Sequence, residues 1–169
     1  MKHILFIAIL AITSTLGAQN FSINTENASV EFYFVTKEVK GTMSKVVAAV
    51  EIYSDDISKT KIVGHVDVST MNTKNEQRDA HLKNEDFFDI EKFPTMSFES
   101  SGVTMNGGNT IAKGQLTIKD ITKEVTFVLT EEGSTFILTS DIYTSDFGID
   151  VKKEREKNKV EVKIIIPVE

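Results

Sequence analysis

The sequence predicts an all-β protein, an antiparallel sheet of about eight strands with one short helix, and three observations predict it. Apolar and polar residues alternate over many short windows, turn-forming residues separate the windows, and one segment alone lacks β-branched residues. Successive strand side chains point to opposite faces, so this alternation marks a sheet with one buried side.

Residues 1–18 stand apart from that pattern. Met1, Lys2 and His3 form a short basic start, Ile4 to Ile12 is an unbroken apolar run, and Thr13, Ser14 and Thr15 follow. This is the layout of a secretory signal peptide, and the run falls far short of the ~20 residues that span a bilayer as a helix. Cleavage fits after Ala18, with Gly17 as the alternative. Residues 19–169 are then expected to be one exported domain, periplasmic or secreted.

Phe21 to Ile23 is long enough for a short first strand. Val30, Phe32 and Phe34 alternate with Glu31 and Tyr33, and Val46, Ala48, Val50 and Ile52 continue the period. It recurs in Ile62, Gly64, Val66 and Val68, and again in Met96 and Phe98. Ala112, Gly114, Leu116 and Ile118 carry it next, then Val125, Phe127 and Leu129, then Phe136, Leu138, Ser140 and Ile142, then Val160, Val162, Ile164 and Ile166. Asn106-Gly107-Gly108-Asn109 and Glu132-Gly133-Ser134 read as tight hairpins. Lys152 to Lys159, a mixed-charge run, reads as a solvated hairpin tip. Asn75 to Asn84 holds good helix formers and no β-branched residue, and predicts a helix of two to three turns. Pro94 ends the irregular stretch and starts the next strand.

Composition narrows the function. The chain has 169 residues, 19 basic and 25 acidic, a net charge of −6 and no cysteine, which is one domain without disulfides or thiol chemistry. The acidic balance argues against nucleic acid. His65 and His81 lie on different elements, too few for a metal site, and no nucleophile elbow, phosphate loop or HExxH helix occurs. No catalysis and no cofactor are expected.

A sheet of this size must pack against a second sheet or curl closed. Its inner face mixes large side chains (Phe32, Phe34, Phe98, Phe127, Phe136) with small ones (Ala48, Gly64, Ala112, Gly114, Ser140). Small residues gathered on one side leave room for an elongated apolar guest; small residues opposite the phenylalanines fill the interior. Both readings stand at this point.

Three stretches carry a resemblance. Arg78-Asp79-Ala80-His81-Leu82-Lys83, Asp86-Phe87-Phe88-Asp89 and Lys92-Phe93-Pro94-Thr95-Met96-Ser97-Phe98 together form one long motif; Gly114 to Asp120 with Thr122-Lys123, and Ser145-Asp146-Phe147-Gly148-Ile149, form two shorter ones. Their order and spacing resemble the YceI-like family of exported polyisoprenoid-binding proteins. The resemblance implies a lipocalin-like eight-stranded barrel, a short helix near its mouth, and a long apolar pocket for an isoprenoid or another long-chain amphiphilic lipid. On that reading the interior and mouth are formed by Phe32, Phe34, Ala48, Val66, Asp79, His81, Phe87, Phe88, Met96, Phe98, Phe127, Leu138 and Phe147. Arg78 and Asp79, adjacent on the helix, are expected to tie it to different parts of the barrel. Two departures from the family pattern stand out: Asp120 replaces a turn glycine expected at positive φ, and Thr144 replaces an arginine two residues before Asp146.

The leading expectation is an exported protein that sequesters or carries such a lipid. The rivals are a non-binding structural or stress-response barrel with a filled core, and an enzyme acting on a lipid head group through Asp79 and His81.

Overall fold

The structure, a computed structural model, describes residues 19–20, 26–53 and 55–167. The expected signal peptide, its cleavage site and the strand at Phe21 to Ile23 lie outside them. The strands are β1 (Gln19–Asn20), β2 (Ser29–Phe34), β3 (Val39–Met43), β4 (Val46–Ile52), β5 (Lys61–Asp67), β6 (Thr95–Asn106), β7 (Asn109–Ile118), β8 (Ile121–Glu131), β9 (Thr135–Tyr143) and β10 (Lys159–Pro167). One helix, α1 (Glu76–Lys83), lies between β5 and β6.

All ten strands form one antiparallel sheet in the order β1-β4-β5-β6-β7-β8-β9-β10-β2-β3. β3 ends that order and β4 lies near its other end, yet Ser44 and Lys45 alone separate them in the chain. The sheet therefore curls until its two ends meet at this corner, a nearly closed barrel with a seam between β3 and β4. At the corner the Ser44 N–H donates to the Thr70 hydroxyl at 2.9 Å, and Lys45 pairs with Asp67 at 3.3 Å. The Ser69 hydroxyl and N–H and the Lys45 ammonium hold the Asp67 carboxyl below its usual range. A bulge between Ser100 and Gly102 in β6 adds curvature.

The count exceeds eight because of the two-residue β1 and of β3, which alternation does not reveal. Val39-Lys40-Gly41-Thr42-Met43 reads weakly, because Gly41 interrupts it. Gly41 pairs with Phe32, whose ring lies where a Cβ would sit, so the sheet needs glycine there. The Asn106-Gly107-Gly108-Asn109 hairpin is present, with φ of 57° and 84° at the two glycines. In the Lys119-Asp120 turn the left-handed residue is Lys119, at φ 57°, and not Asp120. The replaced glycine therefore leaves no strained position behind it.

The Lys152 to Lys159 run is more ordered than a solvated tip. Asn158 is fully buried; its side-chain oxygen accepts from the Val151 and Lys152 N–H groups, and its amide donates to the carbonyls of Lys152 and Glu154. The charges stay in water while one amide pins the backbone beneath them.

Candidate ligand-binding site

The barrel interior holds a cavity of about 530 Å³ whose walls come from every strand from β2 to β10, from α1 and from the segment after it. That volume lies within the range of small-molecule pockets, ~300 to 1,000 Å³. Phe32, Phe34, Ala48, Val66, Met96, Phe98, Phe127 and Leu138 line the interior, and His81, Phe87 and Phe88 line it from the helix side. Val30, Met43, Met71, Leu82 and the β10 residues Val160, Val162, Ile164 and Ile166 complete the apolar wall.

The inward small residues divide into two groups. Ala48 and Gly64 are cross-strand partners on β4 and β5, and both face the cavity. On β7, Ala112 is fully buried opposite Phe127, and a Cβ on Gly114 would meet the Glu99 carbonyl and the Phe98 ring. Phe98 and Phe127 stack edge to face, 5.0 Å between centroids. Ala112 and Gly114 thus lie against phenylalanine side chains, whereas Ala48 and Gly64 border the cavity. Ser140, expected beside them, instead donates from its hydroxyl to the Thr126 carbonyl at 2.8 Å and does not line the cavity.

Helix α1 stands at the cavity rim, held by polar bonds and by half-buried Leu82 packed against the core. None of its residues is buried, and eight residues are too few for a helix stable by itself. Asn75 caps it by accepting from the Arg78 N–H at 2.9 Å. Buried Thr73 anchors it: its N–H and hydroxyl both donate to Asp79 Oδ1, while Arg78 Nε donates to the Thr73 hydroxyl at 2.8 Å and Arg78 Nη2 to its carbonyl at 2.9 Å. Arg78 and Asp79 therefore grip one residue, correcting the expectation of separate anchors. The alternation rule for neighbouring helical residues overlooks that a loop folding back past the N-terminus meets both. Asp79 is thereby committed and does not line the cavity, in contrast to its expected place at the mouth. His81 does line it, with its ring 4.8 Å from Phe87 in edge-to-face contact.

Phe147, also expected in the lining, is buried beside Ile149 in the core outside the cavity wall. It belongs to a tight turn, Thr144–Phe147, ended by Gly148 in left-handed geometry, and its side chain packs in the main core cluster. From a separate 3-10 turn just before β10, Arg155–Asn158, Arg155 supplies the guanidinium missing at position 144. Its Nε and Nη2 hold the Asp146 carboxylate at 2.7 and 2.6 Å, and its head lies 3.7 Å over the Tyr143 ring. The pair drives the Asp146 carboxyl below its usual value and the Arg155 guanidinium above its own. Thr144 instead borders the cavity and donates its hydroxyl to the Ile149 carbonyl at 2.8 Å.

A larger concavity, about 1460 Å³, is lined by residues of β2, β3, β8, β9 and β10 and of the loop before α1. Its wall includes Glu31, Lys40, Asp141, Glu161 and Lys163, charges of both signs already in water. An apolar chain gains little there, so the smaller interior cavity is the candidate site. Among the described residues, no group of three or more His, Cys, Asp or Glu could hold a metal ion, and no helix is long and apolar enough to cross a membrane.

Sequence reasoning missed Lys37 as a lining residue. It reaches the cavity from the single 3-10 turn Val35–Lys37 that ends β2, and nothing in the local pattern marks that turn.

Comparison with known proteins gives one family and one fold. The model of the YceI-like domain matches residues 21–169. A UPF0312 protein of Staphylococcus aureus strain N315 is 34% identical over 155 residues, 83% of this chain and 88% of its own. BcnA of Burkholderia cenocepacia superposes with a TM-score of 0.73 at 20% identity, covering 86% of this chain and 98% of that one. A polyisoprenoid-binding domain from Saccharophagus degradans, described as implicated in plant cell wall breakdown, superposes with a TM-score of 0.59 at 11% identity, covering 88% and 97%.

Proposed function

From the premise that the chain belongs to the YceI-like family, we propose that it is an exported lipid carrier that sequesters a polyprenyl, quinone-type or similar amphiphilic chain in its barrel. The observation that carries this reading is the apolar cavity of about 530 Å³. A long hydrocarbon chain cannot cross water unaided, because each methylene taken out of water is worth about 0.8 kcal/mol. A hollow barrel supplies the missing apolar phase, with an affinity well below the summed burial because ordering the chain has its own cost. Holding a guest in this way needs no nucleophile, metal or cofactor. The basic start and apolar run of residues 1–12 support export to the periplasm or medium.

The test is direct. Protein purified from the compartment to which it is exported is extracted with organic solvent and the extract analysed by mass spectrometry. A prenyl or long-chain lipid in stoichiometric amount is expected; protein that comes up empty and takes up neither added quinone nor added fatty acid contradicts the proposal.

A further inference from the structure

We infer that the lipid this cavity takes carries an anionic head group, a carboxylate or a phosphate, held by Lys37, Arg78 and His81. The inference rests on the carrier reading above and concerns the polar end of the same site. The ionisable residues lining the cavity are Lys37, His65, Arg78 and His81, with no aspartate or glutamate among them. In a chain with 25 acidic and 19 basic residues, that one-sided lining runs against the overall charge.

Among the described residues, no carboxylate pairs directly with Lys37, Arg78 or His81, and Asp79 reaches Arg78 only through the Thr73 hydroxyl. Of the acids adjoining them in sequence, Glu38 lines the outer concavity and not the interior cavity, and Asp79 accepts both donors of Thr73 and does not line the cavity.

Arg78 is built to present a fork. Thr73 fixes Nε and one hydrogen of Nη2, which sets the guanidinium plane and leaves Nη1 without a partner. His81 is positioned by Asn84 at 3.2 Å and by the Phe87 ring. Lys37 is exposed and lines both the cavity and the outer concavity, as does Arg78, which places these two where interior meets surface. An apolar tunnel that ends among cations next to water suits a chain with a charged terminus. A neutral alcohol or amide leaves those charges without a counter-ion, and a carboxylate or phosphate accepts charge-assisted hydrogen bonds from them.

The experiment holds the chain constant and varies the head. Delipidated protein is titrated calorimetrically, at low salt, with geranylgeraniol, with the carboxylate of the same chain and with its monophosphate. The inference expects one or both anions to bind about tenfold or more tightly than the alcohol, with the ratio falling at high salt. It also expects the ratio to fall toward one in Lys37→Gln/His81→Gln, a variant that leaves the Thr73 anchor of α1 untouched. Carboxylate and phosphate arms show which source of charge the site prefers. Equal binding of all three overturns the head-group inference and leaves the carrier reading standing, as does an anion preference that the double variant keeps in full. Failure of all three to bind overturns both.

Discussion

The two sides of the barrel use the same small residues to opposite ends. On β7, Ala112 and Gly114 sit under Phe127 and Phe98 and are there so that aromatic rings fit against the backbone. On β4 and β5, Ala48 and Gly64 are cross-strand partners, the atoms nearest to a Cβ on Gly64 are the Val47 carbonyl and Ala48 rather than an aromatic ring, and both residues line the cavity. Small residues in a strand pattern therefore do not by themselves indicate a hollow interior. What decides is where the large ring is laid: Phe98 is the ladder partner of Gly64, yet its ring lies over Gly114 on the other side. In this barrel the small residues of β7 are covered by rings, and the Ala48–Gly64 pair is left facing the cavity.

That contrast can be broken from the packed side first. Phe127 is 1% exposed and stacked on Phe98, so Phe127→Ala is expected to cost about 3–5 kcal/mol, read as the drop in unfolding free energy in urea. Gly114→Ala places a methyl group against the Glu99 carbonyl and the Phe98 ring, with an expected loss of ~1–3 kcal/mol in the same assay. On the open side, Ala48→Leu extends into vacant volume. Its stability is expected to stay within ~1 kcal/mol of the parent, while uptake of a long-chain lipid falls in an extraction assay. Destabilisation by Ala48→Leu as large as that by Gly114→Ala would mean that both walls are packed alike.

A smaller effect concerns the turn at Asp146, between β9 and β10. Its folded carboxyl titrates below the ordinary carboxylate value, chiefly through Arg155. The pair's contribution is therefore complete above about pH 4, where an unfolded aspartate is already ionised, and is lost as the pH falls through the lower folded value. Asp146→Asn is expected to flatten that acid limb in a stability-against-pH curve and to change little at neutral pH beyond a constant offset. An unchanged limb would show that Asp146 is not what the acid disrupts.

Much of this fold was legible in the sequence because its long strands obey a two-residue period. The eight runs named from alternation all correspond to strands, and Asn75 to Asn84 contains α1 with Asn75 as its cap. β3 was not legible: its period is broken by Gly41, and the glycine is explained only by Phe32 on a different strand. The candidate site divides in the same way. Residues whose inward direction follows from strand parity, such as Phe34, Val66 and Leu138, line the cavity. Phe147 does not, because a turn and not a strand sets its direction, and Asp79 does not, because Thr73 captures it from outside the helix. Likewise the Arg155 partner of Asp146 comes from a run that reads as plain surface charge. Local periodicity fixes which face a residue takes, whereas partners brought together by loops depend on the closed fold.

The central claim, a chain-binding space between the open and the packed wall, is tested most directly by locating a guest. Protein loaded with a long-chain lipid brominated near its tail is crystallised and the anomalous signal of bromine measured. The account predicts a peak inside the barrel, beside Ala48 and Gly64, which Ala48→Leu weakens or displaces. Bromine found only on the outer face, or an interior in which side chains close the space and no peak occurs, would contradict it.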